Sequence, residues 1–85
     1  MNQPVLFFSD LCPDTAPFVA ALTARGITYE AVNITASMKN LKRFLALRDS
    51  RAEFDARKAR GAIGIPVLQL ADGALFFEIA ELPQG

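Results

Sequence analysis

The chain contains no histidine and no tryptophan, and cysteine and tyrosine occur once each among its 85 residues. The lack of histidine excludes Cys–His pairs, Ser–His–Asp triads and the zinc sites that depend on imidazole. A single cysteine cannot form a disulfide within the chain, so the sequence is unlike the disulfide-rich scaffolds of small secreted proteins. We therefore expect no metal site, and any covalent chemistry must use Cys12, carboxylates, hydroxyls, basic side chains or backbone amides.

An excess of one charge and a long apolar run are missing as well. Lysine plus arginine equals aspartate plus glutamate, at nine each, which argues against a nucleic-acid partner because such proteins need a basic face for phosphates. The longest apolar runs, such as Val5–Phe8, are far too short to span a bilayer. The N-terminus lacks the features of a signal peptide. We expect no membrane contact, and a free thiol favours the cytoplasm.

What is present is a pattern of strands and helices. Apolar residues make up 52% of the sequence, which suits one small domain over residues 1–85. Strands are predicted at 4–8, 27–34, 67–70 and 75–77, and a helix at 15–25. Ser37 is the predicted N-cap of a second helix, and SRAE at 50–53 predicts a capping box for a third that ends near Arg60. The order β-α-β-α-α-β-β predicts an α/β fold with a mixed four-stranded sheet flanked by helices.

The last two predicted strands are joined by the pair Asp72-Gly73, which is a strong hairpin signal. Successive side chains of a strand point to opposite faces, so Phe76 and Phe77 are expected on opposite sides, with one ring facing outward. Phe44 and Phe54 are predicted core residues.

Cys12 stands in the stretch SDLCPDT, where the first strand passes into the first helix. The thiolate is the nucleophilic form of cysteine, and a helix N-terminus stabilises it. Pro13 suits the first helical position, and Thr15 is a candidate donor of a hydroxyl or amide hydrogen bond to the sulfur. The carboxylates of Asp10 and Asp14 act against the thiolate. Cys12 is either a packed core thiol, as free cysteine often is, or a partly exposed reactive one, which its polar neighbours favour.

The motif Cys12–Thr15 after VLFFSDL, with Ile65-Pro66-Val67 at the start of the third strand, resembles the glutaredoxin family of the thioredoxin-like fold. It looks closest to small glutaredoxin-related proteins whose motif is Cys-Pro-Asp-Cys. The similarity spans nearly the whole chain, including NIT, LKRFLALRD and IGIPV. It implies that Cys12 is the nucleophile, supported by the other motif residues. It also implies a cis peptide bond before Pro66, which would face Cys12, with the backbone of Ile65 placed to pair with a bound peptide or glutathione.

The chain departs from that family in ways that bear on function. Thr15 replaces the second motif cysteine, so a mixed disulfide on Cys12 must be released by an outside thiol. The lysine that usually precedes the motif is absent, and Glu78-Ile79-Ala80 stands in place of the Gly-Gly step that holds the glutamyl end of glutathione. The same region resembles the N-terminal domain of glutathione transferases. That likeness implies a role for Glu78 in binding the glutamyl group, although Ile79 replaces the serine found there.

The resemblance implies a monothiol thiol–disulfide oxidoreductase that acts on glutathione mixed disulfides or other disulfides of proteins. Glutathione would be a co-substrate and not a tightly bound cofactor. An iron–sulfur cluster is not expected, because Pro13 stands where cluster-binding glutaredoxins have glycine. The alternative is a binding or scaffold module that kept the fold and lost turnover.

Two further points stay open in the sequence. The basic run from Arg57 to Arg60 is either a carboxylate site for glutathione or, as we favour, a solvated helix face. The sequence is compatible with a monomer and with a weak dimer.

Overall fold

A computed structural model describes residues 3–83 of the chain. Its elements, in chain order, are β1 (Val5–Phe8), α1 (Thr15–Ala24), β2 (Glu30–Asn33), α2 (Met38–Ser50), a 3₁₀ turn (Ala52–Phe54), α3 (Asp55–Ala59), β3 (Val67–Gln69), β4 (Leu75–Phe76) and a second 3₁₀ turn (Ile79–Glu81). The predicted α/β fold with a mixed four-stranded sheet is confirmed. None of the helices in residues 3–83 is long and apolar enough to cross a membrane.

The sheet has the strand order β2-β1-β3-β4. β1 runs parallel to β2, to which α1 connects it, and antiparallel to β3. Phe7 lies opposite Val32 of β2 and Val67 of β3. The end of β1 therefore lies beside the start of β3, and the loops that follow β1 and precede β3 meet at one edge of the sheet.

Both faces of the sheet are covered, which explains why β1 is apolar along its whole length. Leu6 points to the face covered by α1, where it packs with Phe18 and Leu22. Phe7 points to the other face and packs with Phe44 of α2 and with Phe54. All six side chains are at most 2% exposed. The predicted core positions of Phe44 and Phe54 are confirmed.

A row of phenylalanine rings runs across the second face. The ring centroids of Phe44 and Phe54 are 5.8 Å apart, and those of Phe54 and Phe77 are 5.0 Å apart, both in edge-to-face geometry, an arrangement that aromatic pairs favour. Phe76 packs on the opposite face with the cluster around Leu6. The expectation that one ring of the pair Phe76-Phe77 faces outward is wrong, because helices or turns cover both faces.

The ends of α2 are set in different ways. Ser37 caps its start, since its hydroxyl oxygen accepts the amide of Asn40 at 3.1 Å, as predicted. The predicted capping box at 50–53 is wrong, because Ser50 is still helical and its hydroxyl donates to the carbonyl of Leu47 at 3.0 Å. The break falls at Arg51, whose backbone is extended. The third helix is therefore a short 3₁₀ turn followed by the five residues of α3.

Candidate functional site

Cys12 lies on two consecutive turns between β1 and α1. Its amide donates a hydrogen bond to the carbonyl of Ser9 at 3.1 Å, and the amide of Thr15 donates to the carbonyl of Cys12 at 3.1 Å. Pro13 is the second residue of the second turn, a position that its fixed φ favours. Since α1 begins at Thr15, the prediction that Pro13 is the first helical residue is wrong.

Ser9 ties these turns to the neighbouring strand. Among residues 3–83, Ser9 is the only polar residue that is buried, at 3% exposure. The amide of Leu11 donates to its hydroxyl oxygen at 3.1 Å, and its hydroxyl shares a 2.8 Å hydrogen bond with that of Thr35. The Thr35 hydroxyl in turn donates to the carboxamide oxygen of Asn33 at 2.8 Å. Because the Thr35 proton is used there, the Ser9 hydroxyl is the donor to Thr35.

Thr15 also acts on Ser9 and not on the sulfur. Its hydroxyl donates to the carbonyl of Ser9 at 2.7 Å, and its amide is bound to the carbonyl of Cys12. A hydroxyl carries one proton, so the prediction that Thr15 donates to the Cys12 sulfur is wrong. Thr15 instead fixes the turn on which Cys12 stands. Sequence reasoning missed Ser9, although a small polar residue directly after a strand buried on both faces was a usable signal.

The Cys12 side chain is half-buried and lines a shallow cavity of about 430 Å³, which we call the thiol pocket. The pocket is lined by Ser9, Leu11, Cys12, Ile34, Thr35 and residues 62–65. Leu11 and Ile63 are largely exposed, at 79% and 56%. Within the described part of the chain, no charged residue lines the thiol pocket.

The part of the thiol pocket lined by residues 62–65 is held by two contacts from the second face of the sheet. Arg48 of α2 donates from its guanidinium to the carbonyl of Ala62 at 2.9 Å. Gly64 has a φ of +100°, and a Cβ at this residue would lie 2.9 Å from the ring of Phe54. The Ile65–Pro66 peptide bond is cis, as the family resemblance implies. The sequence held no signal for the role of Arg48.

A second cavity, of about 440 Å³, shares Ala62, Gly64 and Ile65 with the thiol pocket, and we call it the charged groove. Its lining includes Asp14, Arg57, Arg60, Ile65, Pro66 and Glu78. Asp14 is the N-cap residue of α1, but its carboxylate makes no capping hydrogen bond. Cys12 does not line the charged groove, and Ile65 lines both cavities. The structure thus brings Cys12 together with Ile65, and it places Asp14, Pro66 and Glu78 in the neighbouring groove.

Arg57 is engaged within the charged groove. Its guanidinium carbon lies 3.7 Å from the centre of the Phe77 ring, and one of its nitrogens lies 3.5 Å from the Glu78 carboxylate. The Arg57 side chain is 20% exposed, so the expectation of a solvated helix face is wrong for this residue. Arg60, by contrast, is exposed at the groove.

The described residues hold no group of three or more histidine, cysteine, aspartate or glutamate side chains that would suit a metal ion. The donors at the site are thus one thiol, hydroxyls, carboxylates and guanidinium groups. This set can perform thiol exchange and can bind small charged groups.

Comparison with known proteins finds a relative in Haemophilus influenzae that is described as an uncharacterized protein. The two sequences are 50% identical over 82 residues, which is 96% of this chain and 95% of the relative. No protein-family model matches the chain, and no solved structure matches it significantly. The alignment is long enough to include the thiol pocket as well as the sheet.

Proposed function

We propose that this chain, which belongs to the same family as the Haemophilus influenzae protein, is a monothiol thiol–disulfide oxidoreductase. Its fold would be the glutaredoxin type of the thioredoxin-like fold, and Cys12 would be its nucleophile. The order of elements and the mixed sheet are compatible with that fold. The observation that carries the proposal is the position of Cys12, half-buried in a pocket that Ile65 also lines.

Ile65 offers main-chain groups to a substrate. Among residues 3–83, neither its N–H nor its C=O takes part in a turn or loop hydrogen bond, and it precedes the first residue of β3 by two positions. Backbone groups without an internal partner pair with water or with a ligand. An extended peptide or glutathione lying in the thiol pocket would bind these groups and bring its disulfide to Cys12.

The reaction is exchange in two steps. In the first, the Cys12 thiolate attacks one sulfur of a mixed disulfide, a new S–S bond forms, and the other sulfur leaves as a thiolate that takes a proton from water. In the second, a small thiol such as glutathione attacks the disulfide on Cys12 and releases the Cys12 thiolate. Thr15 carries no sulfur, so the outside thiol is required. Where the adduct on Cys12 carries the small thiol, the products are one reduced substrate thiol and one disulfide of two small thiols; where it carries the substrate, one further molecule of the small thiol is needed to give the same products.

Ser9 and Thr15 serve this reaction as positioning residues. They fix both turns around Cys12 through the Ser9 carbonyl, which keeps the sulfur at the pocket wall. Glu78 and Arg60 of the charged groove are candidates for the charged ends of glutathione. Arg57 is held by Phe77 and Glu78, so it is less free to bind a carboxylate, and the groove is expected to bind glutathione weakly.

The test is intact mass spectrometry over time. The protein is mixed with a glutathionylated peptide and then with excess glutathione, with Cys12→Ser as the control. A disulfide adduct on Cys12 that glutathione clears, with turnover faster than the same concentration of free cysteine achieves, would support the proposal. A Cys12 that stays unmodified, or an adduct that is never cleared, would overturn it in favour of a binding or scaffold module.

A further inference from the structure

We propose that the thiol pocket selects protein disulfides whose cysteine is flanked by apolar residues, in preference to disulfides of glutathione. The inference rests on the proposed exchange reaction and names the substrate class of the same site. It predicts that the sulfur bound to Cys12 in the first step belongs to a peptide segment with apolar neighbours. The small thiol then acts only after the first step.

The charge distribution around Cys12 disfavours glutathione. That molecule carries two carboxylates and one ammonium group, and charged groups that lose water need partners. No residue that lines the thiol pocket is charged within residues 3–83. The basic side chains of Arg57 and Arg60 line the charged groove and do not line the thiol pocket.

Among the described residues, two charged groups contact the lining of the thiol pocket: the Arg48 guanidinium, which is used in its hydrogen bond to the carbonyl of Ala62 at 2.9 Å, and the more exposed carboxylate of Asp10. One Asp10 carboxylate oxygen lies 3.4 Å from the hydroxyl of Thr35, which lines the pocket. A carboxylate in this position repels an acidic residue that flanks the substrate cysteine, and it tolerates a neutral or basic one. Charge complementarity therefore favours a substrate without acidic neighbours.

Two large apolar side chains line the thiol pocket beside Cys12. Leu11 comes from the turn that carries Cys12, and Ile63 comes from the loop that precedes β3; both are among the large apolar residues that the described chain leaves exposed. A single exposed apolar residue needs no explanation, but two that border one cavity form a contact surface. About 430 Å³ is within the size range of ligand sites and accommodates the side chains next to a substrate cysteine.

The step keeps the atom balance of exchange. The Cys12 sulfur bonds to the peptide sulfur, and the second thiol of the disulfide leaves as a thiolate that takes a proton from water. In the second step, a low-molecular-weight thiol attacks the Cys12 sulfur, which releases the peptide as a free thiol and leaves the small thiol in a disulfide with Cys12. A second molecule of the small thiol then attacks this disulfide, releases the Cys12 thiolate and leaves as the disulfide of two small thiols. The only co-reactant is therefore a small thiol.

The experiment compares three substrates that share the same leaving group. They are a short peptide with leucine on both sides of one cysteine, the matched peptide with aspartate on both sides, and glutathione, each as its disulfide with mercaptoethanol. Initial rates of adduct formation are measured by intact mass and divided by the rates with free cysteine, which corrects for intrinsic reactivity. We expect the leucine peptide to react about tenfold faster than either acidic substrate.

Variants of the rim residues test whether the pocket causes the preference. Leu11→Ser and Ile63→Ser are each expected to reduce the preference for the leucine peptide about fivefold. Met38→Ser is the matched control, because Met38 is 65% exposed and does not line the thiol pocket. It should leave the preference unchanged.

The outcomes separate this inference from the proposed function. If all three substrates react at Cys12 with equal corrected rates, or if the rim variants keep the preference, the inference is overturned while the exchange reaction stands. If no substrate reacts faster than with free cysteine, the proposed function fails and the inference fails with it. A dimer under reducing conditions that Leu11→Ser dissociates would show that a second copy of the chain occupies the pocket, and this also overturns the inference.

Discussion

The hydroxyl of Thr15 donates a hydrogen bond to the carbonyl of Ser9 at 2.7 Å, and this bond closes the two turns that carry Cys12. Replacing Thr15 by valine keeps the shape of the side chain and removes the donor. We expect Thr15→Val to lower the free energy of unfolding by about 1 kcal/mol and to slow exchange at Cys12. Thr15→Ser keeps the hydroxyl donor, so its free energy of unfolding and its exchange rate should both stay close to those of the wild type. Urea unfolding and the rate of Cys12 alkylation measure the two effects, and a wild-type alkylation rate in Thr15→Val would contradict the positioning role.

The turn from Cys12 to Thr15 predicts that a second cysteine at position 15 would form a disulfide with Cys12. The Thr15 amide is hydrogen-bonded to the Cys12 carbonyl, and the first and last Cα atoms of such a turn lie within about 7 Å, as in a disulfide. Thr15→Cys treated with oxidised glutathione is therefore expected to lose both free thiols and two hydrogen atoms. Thiol titration and intact mass are the measurements. The double variant Cys12→Ser/Thr15→Cys serves as the control, and a lasting glutathione adduct in place of the internal disulfide would refute the expectation.

Two glycines with positive φ allow the stability cost of backbone strain to be compared with the cost of steric crowding. Gly64 has a φ of +100° and faces the ring of Phe54. Gly61 has a φ of +74°, and a Cβ introduced there by substitution would have no neighbouring atom within 4 Å. We expect Gly64→Ala to cost about 3 kcal/mol of stability, from strain and overpacking together, and Gly61→Ala to cost about 1 kcal/mol. Urea unfolding of both variants tests this. Equal losses would mean that Phe54 moves aside at little cost.

Arg48 is expected to hold the wall of the thiol pocket through the carbonyl of Ala62. Arg48→Met keeps much of the apolar stem and should cost about 2 kcal/mol of stability, because a charged donor is lost. It should also raise the rate of amide hydrogen exchange in residues 62–65. Arg25 makes a similar bond, to the carbonyl of Ala21 within α1, so Arg25→Met is the control. The prediction fails if Arg25→Met and Arg48→Met change exchange in residues 62–65 to the same extent.

The ion pair of Glu30 and Arg43 predicts that the free energy of unfolding depends slightly on pH in the acid range. Two hydrogen bonds from the Arg43 guanidinium, at 2.7 and 3.0 Å, hold the pKa of the Glu30 carboxyl below its ordinary value. Because the folded pKa is the lower one, the stabilisation is present above the unfolded pKa and is lost as the pH falls through the folded pKa.

Glu30→Gln is therefore expected to lose less stability than the wild type as the pH falls from about 5 to about 3. Both side chains are nearly half exposed, so the difference should be small and should shrink in high salt. Urea unfolding across this range measures it. Parallel curves for the two proteins would show that the pair does not contribute.

Features set by neighbouring residues were predictable from the sequence. Ser37 caps α2 through an amide only three residues away, and the continuous apolar run of β1 correctly indicated a strand covered on both faces. The end of α2 was mispredicted because a distant contact helps to set it. The extended Arg51 reaches the carbonyl of Gly73 at 2.9 Å, and no pattern within 50–53 contains that information.

At the candidate site, too, features set by neighbouring residues were predictable and features set by distant contacts were not. The sequence pattern located Cys12 at the end of a strand, and the family resemblance added Ile65 to the site. Neither gave the partners of Thr15 or Arg48, because a hydroxyl or guanidinium can donate to any carbonyl that the fold brings near. Those carbonyls belong to Ser9 and Ala62, and the second lies 14 residues from its donor. Motif residues can be read in order along the chain, whereas the bonds that position them depend on the completed fold.

β1 lies in the middle of the sheet, but one of the strands that flank it, Val67–Gln69, comes near the end of the chain. While the protein is being synthesised, β1 therefore leaves the ribosome long before that neighbour exists. Pairing between such distant segments is slow, and it leaves apolar strand surface uncovered in the meantime. Cys12 emerges early as well, ahead of Ile63 and Ile65. On the nascent chain, the thiol is thus open to any oxidant before the thiol pocket has formed.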